Sequence, residues 1–156
     1  MSTIANVNVI QVLNEVLAAE LAAINQYFMH AEMCGHWGFA KLHDAARKSS
    51  VDEMRHAESL IERILDLGGS PSVHKLGAVT IGKDVLEQFR ADHQLESQAI
   101  DRLRAGVTLC QSERDFVSAK LLEDLLASEE QHLHWLETQQ HLVSKVGEQN
   151  YLAQQL

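Results

Sequence analysis

The chain has few of the residues that interrupt helices: one proline and eight glycines in 156 residues. With abundant Leu, Ala, Glu and Gln, that scarcity points to an all-helical fold. Cysteine is nearly absent. Cys34 and Cys110 form no CxxC pair, which excludes a cysteine framework and leaves two free thiols suited to a reducing compartment. Basic residues are outnumbered, 13 Lys and Arg against 22 Asp and Glu, for a formal net charge of −9. That sign argues against nucleic-acid binding and mildly favours cations. No apolar run is expected to reach the roughly 18 residues that span a bilayer. The opening MSTIANVNVI lacks the basic start and apolar core of a signal peptide, so the cytoplasm is the expected location.

Length predicts one domain over residues 1–156, large enough for a real core. The glycines mark the breaks. A first helix runs from near Asn8 to Gly35 and Gly38, and a second from about Phe39 to Leu67, ended by Gly68, Gly69 and Pro71. The stretch SPSVHKLGAVTIGK has no helical pattern. Asp84 and Glu87 have the spacing of a capping box and open a third helix that ends near Cys110. A fourth extends from about Phe116 to Lys145. After Gly147, EQNYLAQQL has room for one or two more turns. The connection between the second and third helices can span roughly 50 Å extended. It therefore permits a long crossover, with those two helices parallel, in a four-helix bundle. That topology puts Cys34 and Cys110 at opposite ends and rules out a bond between them.

Each helix carries an apolar stripe in steps of three and four residues, and each stripe contains a glutamate. The second reads Leu42, Ala46, Ser49, Glu53, His56, Leu60, Ile64, Leu67. The first carries Glu20 between Leu17 and Ile24, and the third carries Glu96 between His93 and Ile100. The fourth has Glu129 and His132 between Leu125 and Leu136. Glu20 and Glu53 are separated by 33 residues centred on the GHWG turn, and Glu96 and Glu129 by the same interval about a second turn. In two antiparallel hairpins each glutamate then lies roughly 25 Å from its turn, so all four meet at one level.

Four carboxylates crowded together without cations would repel one another and largely stay protonated. Two divalent metals balance four negative charges, and His56 and His132 supply one nitrogen ligand to each. A Glu from each of two helices with a Glu-x-x-His from each of the others is the pattern of ferritin-like di-iron and di-manganese proteins. Here it is Glu20 and Glu96 with EMRH at 53–56 and EEQH at 129–132. Glu130 and His134 share the helical spacing but lie off the stripe and read as surface. His30, His36, His43, His74, His93 and His141 show no matched ligand pattern, and His93, on the third stripe, reads as a satisfied core histidine. Trp37 and Trp135 read as packing residues.

Over essentially its full length the chain resembles the bacterioferritins. The resemblance is carried by LAAELAAINQYFMHAEM, SVDEMRHAESLIERIL, LGAVTIG, SEEQHLHWLETQ and VGEQNYLAQQL. It implies a closed cage of about 24 subunits, of this chain alone or with a second subunit type. It implies that Glu20, Glu53, His56, Glu96, Glu129 and His132 form a ferroxidase centre holding two irons, with Glu53 and Glu129 bridging and Tyr27 beside them. Fe(II) would be oxidised by O2 or H2O2 and kept as ferric mineral. The resemblance also makes Met54 an axial ligand of haem b shared by two subunits, and implies a bacterioferritin-associated ferredoxin as electron donor. Many family members have His and Glu where this chain has Lys48 and Ser49. That departure removes ligands expected of an accessory iron site near Asp52. The competing readings are a di-iron or di-manganese oxidase or peroxidase that stores nothing, a DNA-shielding mini-ferritin, and a purely structural helical oligomer. The mini-ferritin would hold its metals between subunits and lack this six-ligand set.

Overall fold

A computed structural model describes residues 6–73 and 75–156. Residues 1–5, the first half of MSTIANVNVI, and His74 lie outside the described residues. Five helices follow in order: α1 (Val7–His36), α2 (Ala40–Asp66), α3 (Val85–Ser112), α4 (Phe116–Val146) and the short α5 (Glu148–Ala153). There is no strand among the described residues.

Three helix ends share one device. At the ends of α1 and α2, Gly38 and Gly68 adopt φ of +90° and +79°, a conformation glycine reaches without a Cβ penalty. The chain then folds back, so that Phe39 N–H donates to Cys34 O at 2.9 Å and Gly69 N–H to Ile64 O at 3.0 Å. At the end of α3 the same left-handed position is held by Arg114, φ 60°, with Asp115 N–H donating to Cys110 O at 2.8 Å. The start of α3 departs slightly from a capping box. Asp84 accepts from Glu87 N–H, but Glu87 reaches back to Lys83 N–H rather than to that of Asp84.

The crossover climbs along α1. Asn14 holds both Ser70 O and Ser72 N–H, Thr80 N–H donates to Gln26 Oε1 at 3.1 Å, and Gly82 N–H donates to His30 Nε2 at 3.0 Å. From Asn14 to His30 is roughly 24 Å of helix. Consequently α3 starts beside the C-terminal end of α1, where Gln88 meets Cys34, and Gly106, near its other end, lies against Val12. α3 is thus antiparallel to α1 and parallel to α2. The start of α4 is tied to the end of α2 by Arg63, which donates to Asp115 Oδ1 and Ser118 Oγ, each at 2.9 Å. Tyr151 of α5 packs edge-on against Phe89, and Lys41 N–H donates to Gln155 O.

The core is divided in two. One apolar cluster, built around Leu13, Leu17, Leu60, Ile64, Leu103 and Leu122, fills one end. A second, containing Leu42, Phe89, Leu136 and Tyr151, fills the end covered by α5. Cys34 belongs to the second and Cys110 to the first, both as free thiols. Burial pushes each thiol up to about 11. Between the clusters lies a polar layer of fully buried side chains, Glu20, Glu53, Glu96 and Glu129.

One sequence expectation needs correcting. By length and composition α1 is apolar enough to cross a membrane. Leu13, Val16, Leu17, Ala22, Ala23 and Ala31 are buried in the bundle, on a face that also buries Glu20, Gln26 and His30, while Phe28 and Met29 remain partly exposed.

Candidate metal centre

Each helix contributes its ligand-type residues at mid-length, where the stripe turns them inward. His56 Nδ1 lies 3.0 Å from Glu129 Oε1, 3.5 Å from Glu20 Oε2 and 3.8 Å from Glu53 Oε2. His132 Nδ1 lies 3.1 Å from Glu53 Oε1, 3.5 Å from Glu96 Oε1 and 3.9 Å from Glu129 Oε2. The six residues therefore form two overlapping groups, Glu20–Glu53–His56–Glu129 and Glu53–Glu96–Glu129–His132. Within each, one donor atom per residue falls within 4.8 Å of the others. Glu53 and Glu129 belong to both groups.

Several of these approaches are short, yet seven atoms of the cluster lack hydrogen-bond geometry: Glu20 Oε2, Glu53 Oε1, His56 Nδ1, Glu96 Oε2, both Glu129 oxygens and His132 Nδ1. Among the described residues, no other buried side-chain nitrogen or oxygen lacks a partner. An orphaned buried polar atom costs about 1–3 kcal/mol, and more if charged. Their concentration at one point marks donors aimed at a common centre, and hard oxygens with imidazole nitrogens are the donor set of divalent iron or manganese. The residues present fit a pair of such ions.

The electrostatics agree. Burial, reinforced by the facing Glu20, pushes the Glu53 carboxyl up to about 7. Burial and Glu129 together push Glu96 up to about 8. Burial opposes charge on both imidazoles, but the surrounding carboxylates outweigh it and push His56 up to about 12 and His132 to about 11. The metal-free cluster thus holds protons that a metal must displace. Metal binding is expected to release about two or more protons per chain near pH 7, and affinity is expected to rise with pH. Co2+ calorimetry in buffers of different ionisation enthalpy measures that release. An enthalpy independent of buffer would show that the cluster holds no displaceable protons.

Surrounding groups hold the ligands in place. Tyr27 donates its hydroxyl to Glu96 Oε1 at 2.5 Å; burial and that carboxylate push its pKa well above the ordinary phenol value. His132 Nε2 lies 3.1 Å from Asp52 Oδ2, and Lys48 Nζ lies 3.0 Å from the same oxygen. Burial raises the Asp52 carboxyl, but His132 and Lys48 outweigh it and hold it low. Lys48 therefore places an ammonium group on Asp52. Two openings approach the cluster. A small one of about 70 Å³ beside the crossover reaches Glu20, Glu53 and Glu129 between Ala19, Ala23 and Gly77. A larger one of about 290 Å³ between α2 and α4 reaches Tyr27, Asp52 and His132 but none of the carboxylate ligands.

Some residues fall outside the sequence reading. His30 is buried, with Nδ1 2.9 Å from Asp92 Oδ1. Gln26 donates to that same oxygen at 2.8 Å. This network fastens the crossover to α1 and α3, and the spacing of 26, 30 and 92 carries no motif that would have found it. His93 is half-buried and faces Glu137 at 3.3 Å, a surface pair rather than a core histidine. Glu130 and His134 are exposed, as expected. Met54 is 47% exposed. Trp135 is also partly exposed, packing edge-on against Phe89.

Comparison with known proteins agrees with this geometry. The ferritin-like domain family matches residues 10–146. A bacterioferritin of Streptomyces coelicolor is 50% identical over 145 residues, covering 93% of this chain and 87% of its own. A bacterioferritin of Mycobacterium bovis is 46% identical over 147 residues, 94% and 92% of the two chains. A bacterial ferritin of Neisseria meningitidis is 41% identical over 152 residues, 97% and 98%. With the bundle, the long crossover and this level of identity along nearly its whole length, the chain belongs to the bacterioferritin family.

Proposed function

We propose that the protein, as one ferritin-like domain, stores iron: it takes up Fe2+, oxidises it at the six-residue centre and keeps the Fe3+ as a mineral inside a cage of about 24 copies. The observation that carries this reading is the set of seven partnerless buried donor atoms on Glu20, Glu53, His56, Glu96, Glu129 and His132. A bland alternative, in which these side chains merely fill the core, leaves those atoms with ion-pair contacts inside the cluster but no hydrogen bond.

Fe2+ is the substrate. Four carboxylates neutralise the charge of two Fe2+ ions, and Glu53 and Glu129, common to both donor groups, bridge and hold them side by side. Each ion gives one electron to O2, which takes up two protons and leaves as H2O2; peroxide accepts two electrons in the same way and leaves as water. Delivering two electrons together avoids a one-electron radical product. Carboxylate oxygens favour the harder Fe3+ product, while Tyr27 and Asp52 keep Glu96 and His132 oriented through the change. Met54 of two copies would hold haem b, which supplies electrons from a small ferredoxin for returning stored Fe3+ to Fe2+. These steps belong to a protein of the cytoplasm.

The alternative, a di-metal oxidase or peroxidase that stores nothing, shares the same centre and finds support in the cavity beside His132. Adding excess Fe2+ in air to the metal-free assembled protein separates the two. Far more than about two irons per chain are expected to co-elute with the particle. Loading that stops near two per chain would keep the centre and remove the storage function.

A further inference from the structure

The two metal positions are related by an approximate twofold symmetry in their ligands: each has one terminal glutamate, one histidine, and a share of Glu53 and Glu129. The symmetry stops at the ligands. In one position both terminal ligands are fastened from behind, Glu96 by the Tyr27 hydroxyl at 2.5 Å and His132 by Asp52 at 3.1 Å. In the other neither is. Among the described residues, Glu20 accepts no hydrogen bond from outside the cluster, and the second ring nitrogen of His56 has no protein partner.

From this asymmetry we infer that the centre has one retaining and one exchanging position: the Glu96–His132 position holds a divalent ion firmly, while the Glu20–His56 position takes up and gives up its ion readily. The inference rests on the di-metal reading and adds a division of labour within it. Its physical basis is general. A histidine whose far nitrogen donates to a carboxylate is held in the tautomer and orientation a metal needs and is a stronger donor, and losing such a partner weakens metal affinity about 10–100-fold. A carboxylate fixed by a hydroxyl donor loses little freedom on binding, while Glu20 and His56 must be ordered by the ion itself. Asp52 and Tyr27 act as positioning residues, since each works through a ligand.

The test uses Co2+, which reports its ligands in the visible spectrum, on the metal-free assembled protein. After loading, an excess of EDTA is added and Co2+ loss is followed by absorbance. The natural chain is expected to lose one ion per chain quickly and the other slowly. Asp52→Asn and Tyr27→Phe are each expected to speed the slow phase, by roughly 10–100-fold for Asp52→Asn, and to leave the fast phase unchanged. Elution as the same particle with the same helical circular dichroism confirms that both variants fold. Loss of both ions in a single phase from the natural chain would overturn the inference, as would variants that speed the fast phase. Uptake of fewer than two Co2+ per chain would be a different result, removing the di-metal centre together with its asymmetry.

Discussion

Glu129→Ala is expected to slow Fe2+ oxidation by more than about 100-fold and to lower Co2+ uptake from two ions per chain to one or none. Loss of a group that merely supports a ligand costs 10–100-fold in affinity or activity, and Glu129 stands one step closer, with both of its oxygens unpaired and within reach of both positions. In the proposed centre its removal would leave Glu53 as the one residue common to both donor groups. It also leaves His56 Nδ1 without the carboxylate oxygen 3.0 Å away. Stopped-flow absorbance after mixing Fe2+ with air-saturated buffer measures the rate, and calorimetry measures the stoichiometry. Glu130→Ala, one residue on and exposed, is the control and should change neither. A Glu129→Ala chain that oxidised Fe2+ at the natural rate would remove the centre as the place of reaction.

Metal is expected to stabilise the fold by an unusually large amount. In the metal-free chain four glutamates share a buried layer, and each charged form is disfavoured by burial. Breaking up paired buried charge is costly, and an unmatched cluster is worse. A ligand that binds only the folded state adds about 4.1 kcal/mol when present at 1,000 times its Kd, so two such sites add roughly 8 kcal/mol. For a chain of this size each kcal/mol shifts Tm by about 2–4 °C, so saturation with Co2+ should raise Tm by more than about 10 °C. Circular dichroism melts with and without metal read this directly. The gain should shrink as pH falls, because Glu53 and Glu96, titrating near 7 and 8, must lose their protons before they can bind. An unchanged Tm would mean that no ion enters the layer.

Much of this was legible in the sequence because it depends on spacing. A glutamate every 33 residues across each turn, on a stripe otherwise apolar, fixes height and direction together. Glycine announced two of the helix ends, at Gly38 and Gly68. The third was marked only by polar residues, because Arg114 takes the left-handed position there despite its Cβ. The supporting network was less visible. Asp92, Gln26 and His30 meet across a crossover and two helices, and contacts between residues so far apart leave no period to count. Asp52 lies one residue from Glu53, so its turn toward His132 depends on how α2 and α4 sit together, which pattern alone does not set. The apolar reach of α1 was underread because its alanines flank the stripe and extend the apolar surface beyond it.

The equal intervals around the two turns have a consequence for how the chain can vary. Each ligand's height is counted in residues back from a turn, so the two arms of a hairpin are length-locked between turn and centre. Inserting one heptad in a single arm would leave its apolar side almost in phase but carry its glutamate about 10.5 Å out of the layer. Inserting three or four would shift it by about a turn, with the stripe again nearly in phase. Only paired changes, one in each arm, keep the four carboxylates level. The start of α1 and the segment after α4 lie outside those counted intervals, so length can change there without moving a carboxylate out of the layer.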